Sequence, residues 1–154
     1  MNSAWIWTPP PIKTANRVPD PDRVDRGLLD TSVVIDLGSI SPKDLPAEVA
    51  ISAITLAELA AGPAAARNAE IRATRQDRLQ RTEAVFDPLP FDADASRAYG
   101  RIFAAIMEIG RKPRGARSVD LLVAATALAH SMPLYTRNPD DFIGLEKLVE
   151  IRSV

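Results

Sequence analysis

Residues 27–38 read GLLDTSVVIDLG. Leu28 and Leu29 form a short apolar strand that stops at Asp30, and Thr31 to Leu37 carries the pattern of a first helix. A strand passing into a helix through one acid opens a βα unit, and the rest of the chain repeats the alternation. Glu48 to Ser52 supplies a second strand, and Thr55 to Ala61 a short helix stopped by Gly62-Pro63. Residues 64–85 are rich in the helix formers Ala, Arg and Gln. Phe86 to Phe91 is a third strand candidate, restricted to a twisted or edge position by Pro88 and Pro90. Asp92 then caps a long helix with apolar residues at 95, 98, 99, 102, 103, 106 and 109, the spacing of one buried face. After a basic loop, Gly110 to Arg117, the segment Ser118 to His130 is apolar on nearly every side and belongs in the middle of the molecule. Leu134 to Thr136 and Val149 to Val154 are the fourth and fifth strands. The pattern predicts an α/β fold, a mostly parallel sheet of four to five strands with helices on both faces.

Three acids stand out against this frame: Asp30 in LLDTS, Glu58 in ITLAEL and Asp120 in SVDLLVAATA, each read as the junction of an apolar run with a helix. In a parallel α/β fold such junctions open on one edge of the sheet, where ligand crevices form. Carboxylates gathered there repel one another, by on the order of 4 kcal/mol for a pair about 4 Å apart at moderate dielectric. A divalent cation relieves that repulsion, so the three acids imply a metal-dependent hydrolase. Each acid taken singly also has a structural explanation. Asp30 stands where an N-cap is favoured, Thr55 and Glu58 match a capping box, and Asp120 falls in a first helical turn, where the dipole favours negative charge.

Composition narrows the class. With 154 residues the chain fits one domain able to bury a sizeable core. Apolar residues make up 46% and charged ones 25%, as in an ordinary soluble globule. A formal net charge of −1 gives no global attraction for nucleic acid, so any such contact must use local basic patches. The absence of cysteine excludes disulfides, zinc–thiolate sites and thiol nucleophiles, and fits a cytoplasmic location. The apolar stretch Leu121 to Ala129 is far below the roughly 20 residues of a spanning helix. Residues 1–26, with Pro9, Pro10, Pro11, Pro19, Pro21, Trp5 and Trp7, read as a Pro-rich, flexible extension ahead of a domain spanning 27–154. The strand-end strings lack both the Asp-x-Asp of dehalogenase-type phosphatases and the Gly-rich turn of nucleotide-binding folds.

Taken in series, LLDTSVVIDL, ISAITLAELAAG and SVDLLVAATALAHSMPLYTRNPDDF resemble the PIN-domain ribonucleases and, more narrowly, the VapC toxins of prokaryotic toxin–antitoxin pairs. The resemblance covers residues 27–154 and implies a PIN-like α/β/α sandwich. It implies an endoribonuclease that hydrolyses RNA with metal-activated water, using Mg²⁺ or alternatively Mn²⁺ held by Asp30, Glu58 and Asp120. Thr31 or Ser32 is implied to line the site. The family often carries a fourth acid in a Thr-x-Asp string, which here is Thr136-Arg137-Asn138. Asn138 adds no charge, so the fourth catalytic position falls to Asn138 itself or to Asp140 or Asp141, with Asp141 preferred. Three charges rather than four leave two-metal catalysis open. A silent scaffold that binds RNA or a partner, and a DNA-directed nuclease, are the rival readings.

Arg111, Lys112, Arg114 and Arg117 crowd the loop before Asp120 and are the best phosphate-binding candidates in the chain. The row Arg72, Arg75, Arg78 and Arg81 reads instead as a solvated or antitoxin-facing helix face. His130, the only histidine, is given no catalytic role. The resemblance further implies a VapB-like antitoxin whose tail covers the acids. It also implies a homodimer, for which the apolar ends of the helical pair in 54–85 are available.

Overall fold

The computed structural model describes residues 26–154, and the expected N-terminal extension with its two tryptophans lies outside the described residues. The elements run β1 (Arg26–Leu29), α1 (Thr31–Ile35), a 3₁₀ turn (Leu37–Ser39), β2 (Glu48–Ile51), α2 (Ala53–Ala61), α3 (Ala69–Val85), α4 (Ala93–Glu108), α5 (Ala116–Ala129), β3 (Leu134–Thr136), a 3₁₀ turn (Pro139–Phe142) and β4 (Ile151–Ser153). Four strands form one sheet in the order β2-β1-β3-β4, and every pairing is parallel. Successive strand side chains point to opposite faces. Leu28 therefore enters the core shared with α4 and α5 (Ile102, Ile106, Leu121, Val123). Leu29 enters the other, with Val33, Val34, Leu59 and Leu79 of α1, α2 and α3. Helices cover both faces, and the α/β/α sandwich expected from the alternation is present.

The expected strand at Phe86 to Phe91 is not formed; only Leu89 bridges, in parallel, to Ser52. Leu89 donates its N–H to the Ile51 carbonyl and accepts from the Ala53 N–H. Pro88 and Pro90 on either side have no N–H to extend the ladder. The sheet accordingly has four strands. The wide apolar stripe of α4 is also only partly used: Ala95, Ala98, Ile102 and Ile106 are buried, whereas Phe103 and Ile109 remain exposed. α5 meets its expectation, with Leu121, Val123, Ala124, Ala125, Thr126 and Ala127 all buried.

Two glycines hold the frame together by close approach. Gly27 lets the Tyr135 ring of β3 lie directly against β1, with Pro46 on the same side. Gly144, at φ +98°, connects the second 3₁₀ turn towards β4, and a Cβ there would run into Ile109 Cδ1 of the α4 cap. Gly144→Ala combines that collision with a backbone region disfavoured for L side chains. It is expected to destabilise the protein by about 2 kcal/mol, to be read as a lowered midpoint in urea unfolding at unchanged slope.

Candidate active site

Asp30 leaves β1 as the residue before α1, yet its carboxylate does not cap that helix. Its Oδ2 instead accepts from Ser32 Oγ at 2.7 Å and from Thr136 Oγ1 at 2.9 Å. Thr136 is fully buried at the end of β3, beside β1 in the sheet. The Arg137 N–H donates to Ser32 Oγ at 3.2 Å, and the Asn138 N–H to Thr136 Oγ1 at 3.0 Å. Two strand ends are thus stitched around one oxygen of Asp30, and the other oxygen is left for a ligand. Asp30 itself is buried, which makes those bonds to the charged form necessary.

Glu58 loses its structural explanation in the same way. The N-cap of α2 is Ser52, whose Oγ accepts from the Thr55 N–H at 3.0 Å. Thr55 is therefore already inside the helix, and Glu58 lies a turn beyond any capping position. One oxygen of Glu58, Oε1, accepts from Thr31 Oγ1 at 2.6 Å. Thr31 Oγ1 also approaches the buried Thr55 Oγ1 at 3.3 Å, and Ser52 Oγ donates to Thr55 Oγ1 at 3.1 Å. A chain of hydroxyls running out of the core thereby orients the carboxylate.

Asp120 differs from the sequence reading in its position. No strand precedes it, because α5 follows α4 through the 110–115 loop, and α5 begins at Ala116, so that Asp120 lies past the first turn. It nevertheless reaches the same edge. A helix joined to the next parallel strand by a short connection runs antiparallel to that strand, so its N-terminal part lies at the strands' carboxyl ends. The electrostatics register the convergence. The Asp120 carboxyl is pushed up from 3.8 to about 7, first by burial and then by the negative charges of Asp30, Asp141 and Glu58, with Arg117 opposing them.

The three candidates for the fourth position differ in their surroundings. Asp141, half-buried in the second 3₁₀ turn, faces Asp120 closely enough for its charge to act there. Asp140 is exposed, and its backbone carbonyl accepts from Arg111 at 3.4 Å. Asn138 stands at the N-cap of that turn, exposed and with no side-chain cap bond. His130 caps the far end of α5 and acts electrostatically on Asp92, well away from the acids.

The basic loop divides. Lys112 and Arg114 are exposed, and Arg111 is half-buried against the 3₁₀ turn. Arg117 lies on α5 one turn before Asp120, with its Nε buried and without a hydrogen-bond partner among the described residues.

The donor chemistry fits a hard divalent cation. All available ligands are oxygens, and burial plus like charge already strains Asp120, a condition a cation relieves. Among the described residues no three acidic, His or Cys side chains converge into a ready-made coordination shell. That looseness suits Mg²⁺, which keeps several waters and binds through one or two carboxylates plus substrate phosphate. The sequence reading missed Thr136, Thr55 and Ser52, since a buried hydroxyl at a strand end has no signature until its acid is placed beside it. No helix among the described residues is long and apolar enough to cross a membrane.

Comparison with known proteins agrees with the α/β/α fold. The PIN domain matches residues 27–148. Ribonuclease VapC5 of Mycobacterium tuberculosis is 37% identical over 131 residues, spanning 83% of this chain and 93% of the relative. VapC ribonuclease Y4jK of Sinorhizobium fredii is 33% identical over 127 residues, spanning 75% and 89%. The crystal structure of VapBC-5 from Mycobacterium tuberculosis, a member of the VapBC family of toxin–antitoxin systems, superposes with a TM-score of 0.70 at 34% identity. It covers 84% of this chain and 98% of that one. The chain belongs to the PIN-domain family, in its VapC branch.

Proposed function

We propose that this protein is the toxin of a VapBC-type toxin–antitoxin module, a divalent-metal-dependent endoribonuclease acting in the cytoplasm. The observation that carries the reading is the half-buried Asp120 carboxyl, pushed up to about 7 first by burial and then by the negative charges of Asp30, Asp141 and Glu58. Mg²⁺, or alternatively Mn²⁺, bound at such a site supplies Lewis-acid polarisation of a phosphate and lowers the pKa of water.

The chain's own groups do the rest. Asp30, Glu58 and Asp120 are the metal ligands, and Asp30 and Glu58 each present the oxygen that no hydroxyl occupies. Asp141 completes the negative rim, and Asn138 offers an uncharged amide beside it. Arg117, with Arg111, Lys112 and Arg114 further out, holds substrate phosphates against the acids; phosphate contacts position the strand rather than read its sequence. The partner is a VapB-like antitoxin that covers the acids. The exposed Ile71 and Val85 on α3 are available to a homodimer.

The test is cleavage of a mixed cellular RNA pool by purified, antitoxin-free protein with Mg²⁺, with EDTA, and with Asp30→Ala. Discrete fragments that need both metal and Asp30 establish the activity, and matched single-stranded DNA separates RNA from DNA substrates. Folded protein that cuts neither would leave a silent scaffold.

A subtler substitution probes the hydroxyl bracket. Thr136→Val removes one donor to Asp30 Oδ2 while keeping the side-chain shape. The loss is expected to weaken metal affinity by about 10- to 100-fold. Calorimetric Mn²⁺ titration should show it, and cleavage should recover as Mg²⁺ is raised. Unchanged metal affinity would remove Thr136 from the site.

A further inference from the structure

The arginines at 72, 75, 78 and 81 look in sequence like one helix face, but they cannot share one. Each three-residue step on an α-helix turns back by about 60°, so the first and last of the row stand on opposite sides of α3. Arg72 is exposed, and Arg81 is exposed and paired with Asp77 at 2.9 Å. The middle two turn inward and are half-buried. Arg75 Nη1 donates to the Gly62 carbonyl at 2.8 Å, which fixes its stem across the end of α2. Arg78 has no hydrogen bond or ion pair to its guanidinium among the described residues.

Arg75 and Arg78 line a cavity of about 350 Å³ whose other walls include Thr31 and Glu58, the hydroxyl–carboxylate pair of the active site. Arg78 also lines the two adjoining grooves along α3, of about 370 and 530 Å³. In those grooves Asp77 is neutralised by Arg81, and Glu70 is the acid left without an ion pair. Arg78 thus lines all three hollows beside α3, and the one of about 350 Å³ is also lined by Glu58.

We propose that Arg75 and Arg78 form a phosphate-binding wall that carries the RNA strand to the acids from the Glu58 side, while Arg117 holds it on the Asp120 side. The inference rests on the ribonuclease reading above. A polyanion approaching the edge that carries Asp30, Glu58, Asp120 and Asp141 is repelled unless cations line its path, and the Arg78 guanidinium, which lines a cavity with Glu58, is placed to offset that repulsion. A stretch of acidic protein, the other occupant such a wall attracts, has no such reason to end at a carboxylate cluster.

The experiment measures binding of a fluorescein-labelled, mixed-sequence single-stranded RNA 16-mer to the full chain carrying Asp120→Asn, which prevents cleavage, in Mg²⁺ from 50 to 200 mM salt. Arg78→Ala in that background is expected to weaken binding about 5- to 10-fold and to flatten the log–log salt slope by about 0.7, one phosphate contact on a single strand. Arg78→Lys should restore the slope, and Arg72→Ala should change neither quantity. Unaltered thermal melting of Arg78→Ala guards against misfolding, with Arg78→Glu as a second, stronger variant. RNA affinity and slope unchanged by both Ala and Glu would overturn the proposal, as would a loss confined to the binding of a protein antitoxin. The ribonuclease reading fails separately, if wild-type protein with metal leaves RNA intact while the Arg78 effect on binding persists.

Discussion

Asp120→Asn is expected to abolish metal-dependent cleavage and, in the same protein, to stabilise the metal-free fold at neutral pH. The first effect follows from position. Asp120 is the acid on which Asp30, Glu58 and Asp141 all act, so its loss removes a proposed metal ligand. The cost in cleavage rate should be at least about 10²-fold, beyond the 10- to 100-fold typical of losing an outer partner of a metal ligand. The second effect follows from the same crowding. Near pH 7 the folded protein must either keep a proton on Asp120 or tolerate a partly desolvated, repelled charge, and an amide does neither. Kinetics and melting run on one preparation decide the matter. A variant that loses activity and also stability would point to misfolding, and one that keeps activity would remove Asp120 from the ligand set.

The pH dependence of the metal-free protein carries the second large effect. Asp120 titrates at about 7 when folded against an ordinary 3.8. Between those values the native state holds a proton that the unfolded chain has released, so stability falls as pH rises. The favourable contribution is complete below about pH 4 and is lost as pH passes through 7. Full coupling would be worth roughly 1.4 kcal/mol per unit. Asp120 is only half-buried, so solvent screening reduces the total to about 1–2 kcal/mol, or about 3–6 °C in melting temperature for a chain of this size. Asp92 and Glu146, whose carboxyls are held below their ordinary values mainly by backbone N–H bonds, work in the opposite sense at lower pH. The difference between wild type and Asp120→Asn therefore isolates the group: near zero at pH 4 and largest at pH 8. Adding Mg²⁺ at pH 8 should stabilise the wild type, by about 2.7 kcal/mol at a hundredfold excess over Kd, and leave Asp120→Asn nearly unmoved. A wild-type stability in EDTA that tracks the variant at every pH would sink the account.

Much of the site was legible because acids at element boundaries leave a trace in the pattern. Asp30 could be assigned to the sheet edge from the βα order alone, whereas Glu58, read as a junction residue, stands inside α2 a turn past its Ser52 N-cap. Asp120 reached that edge by a route the pattern did not show: it sits inside a helix that follows another helix, and only the direction of α5 relative to β3 brings it back. Asp141 and Asp140 are neighbours of identical chemistry, and which of them faces the crevice depends on the turn of a single 3₁₀ segment. The four arginines of α3 were read as one face because period three resembles a helical period. The residual rotation of about 60° per step divides them.

The sequence by itself determined the layered α/β class, the burial of α5, the limit that Pro88 and Pro90 place on strand pairing, and the three acids as candidates. Those properties are local, set by apolar spacing, missing N–H donors and side-chain type. Only the tertiary structure decided that none of the three acids serves merely to cap a helix. It also decided that Ser32 and Thr136 hold one oxygen of Asp30 and Thr31 one oxygen of Glu58, and that Arg78 lines a cavity together with Glu58. The bonds of Thr31 to Glu58 and of Thr136 to Asp30 join residues 27 and 106 positions apart. A hydroxyl or a guanidinium acquires its role only when the folded chain sets a carboxylate within reach and takes the water away.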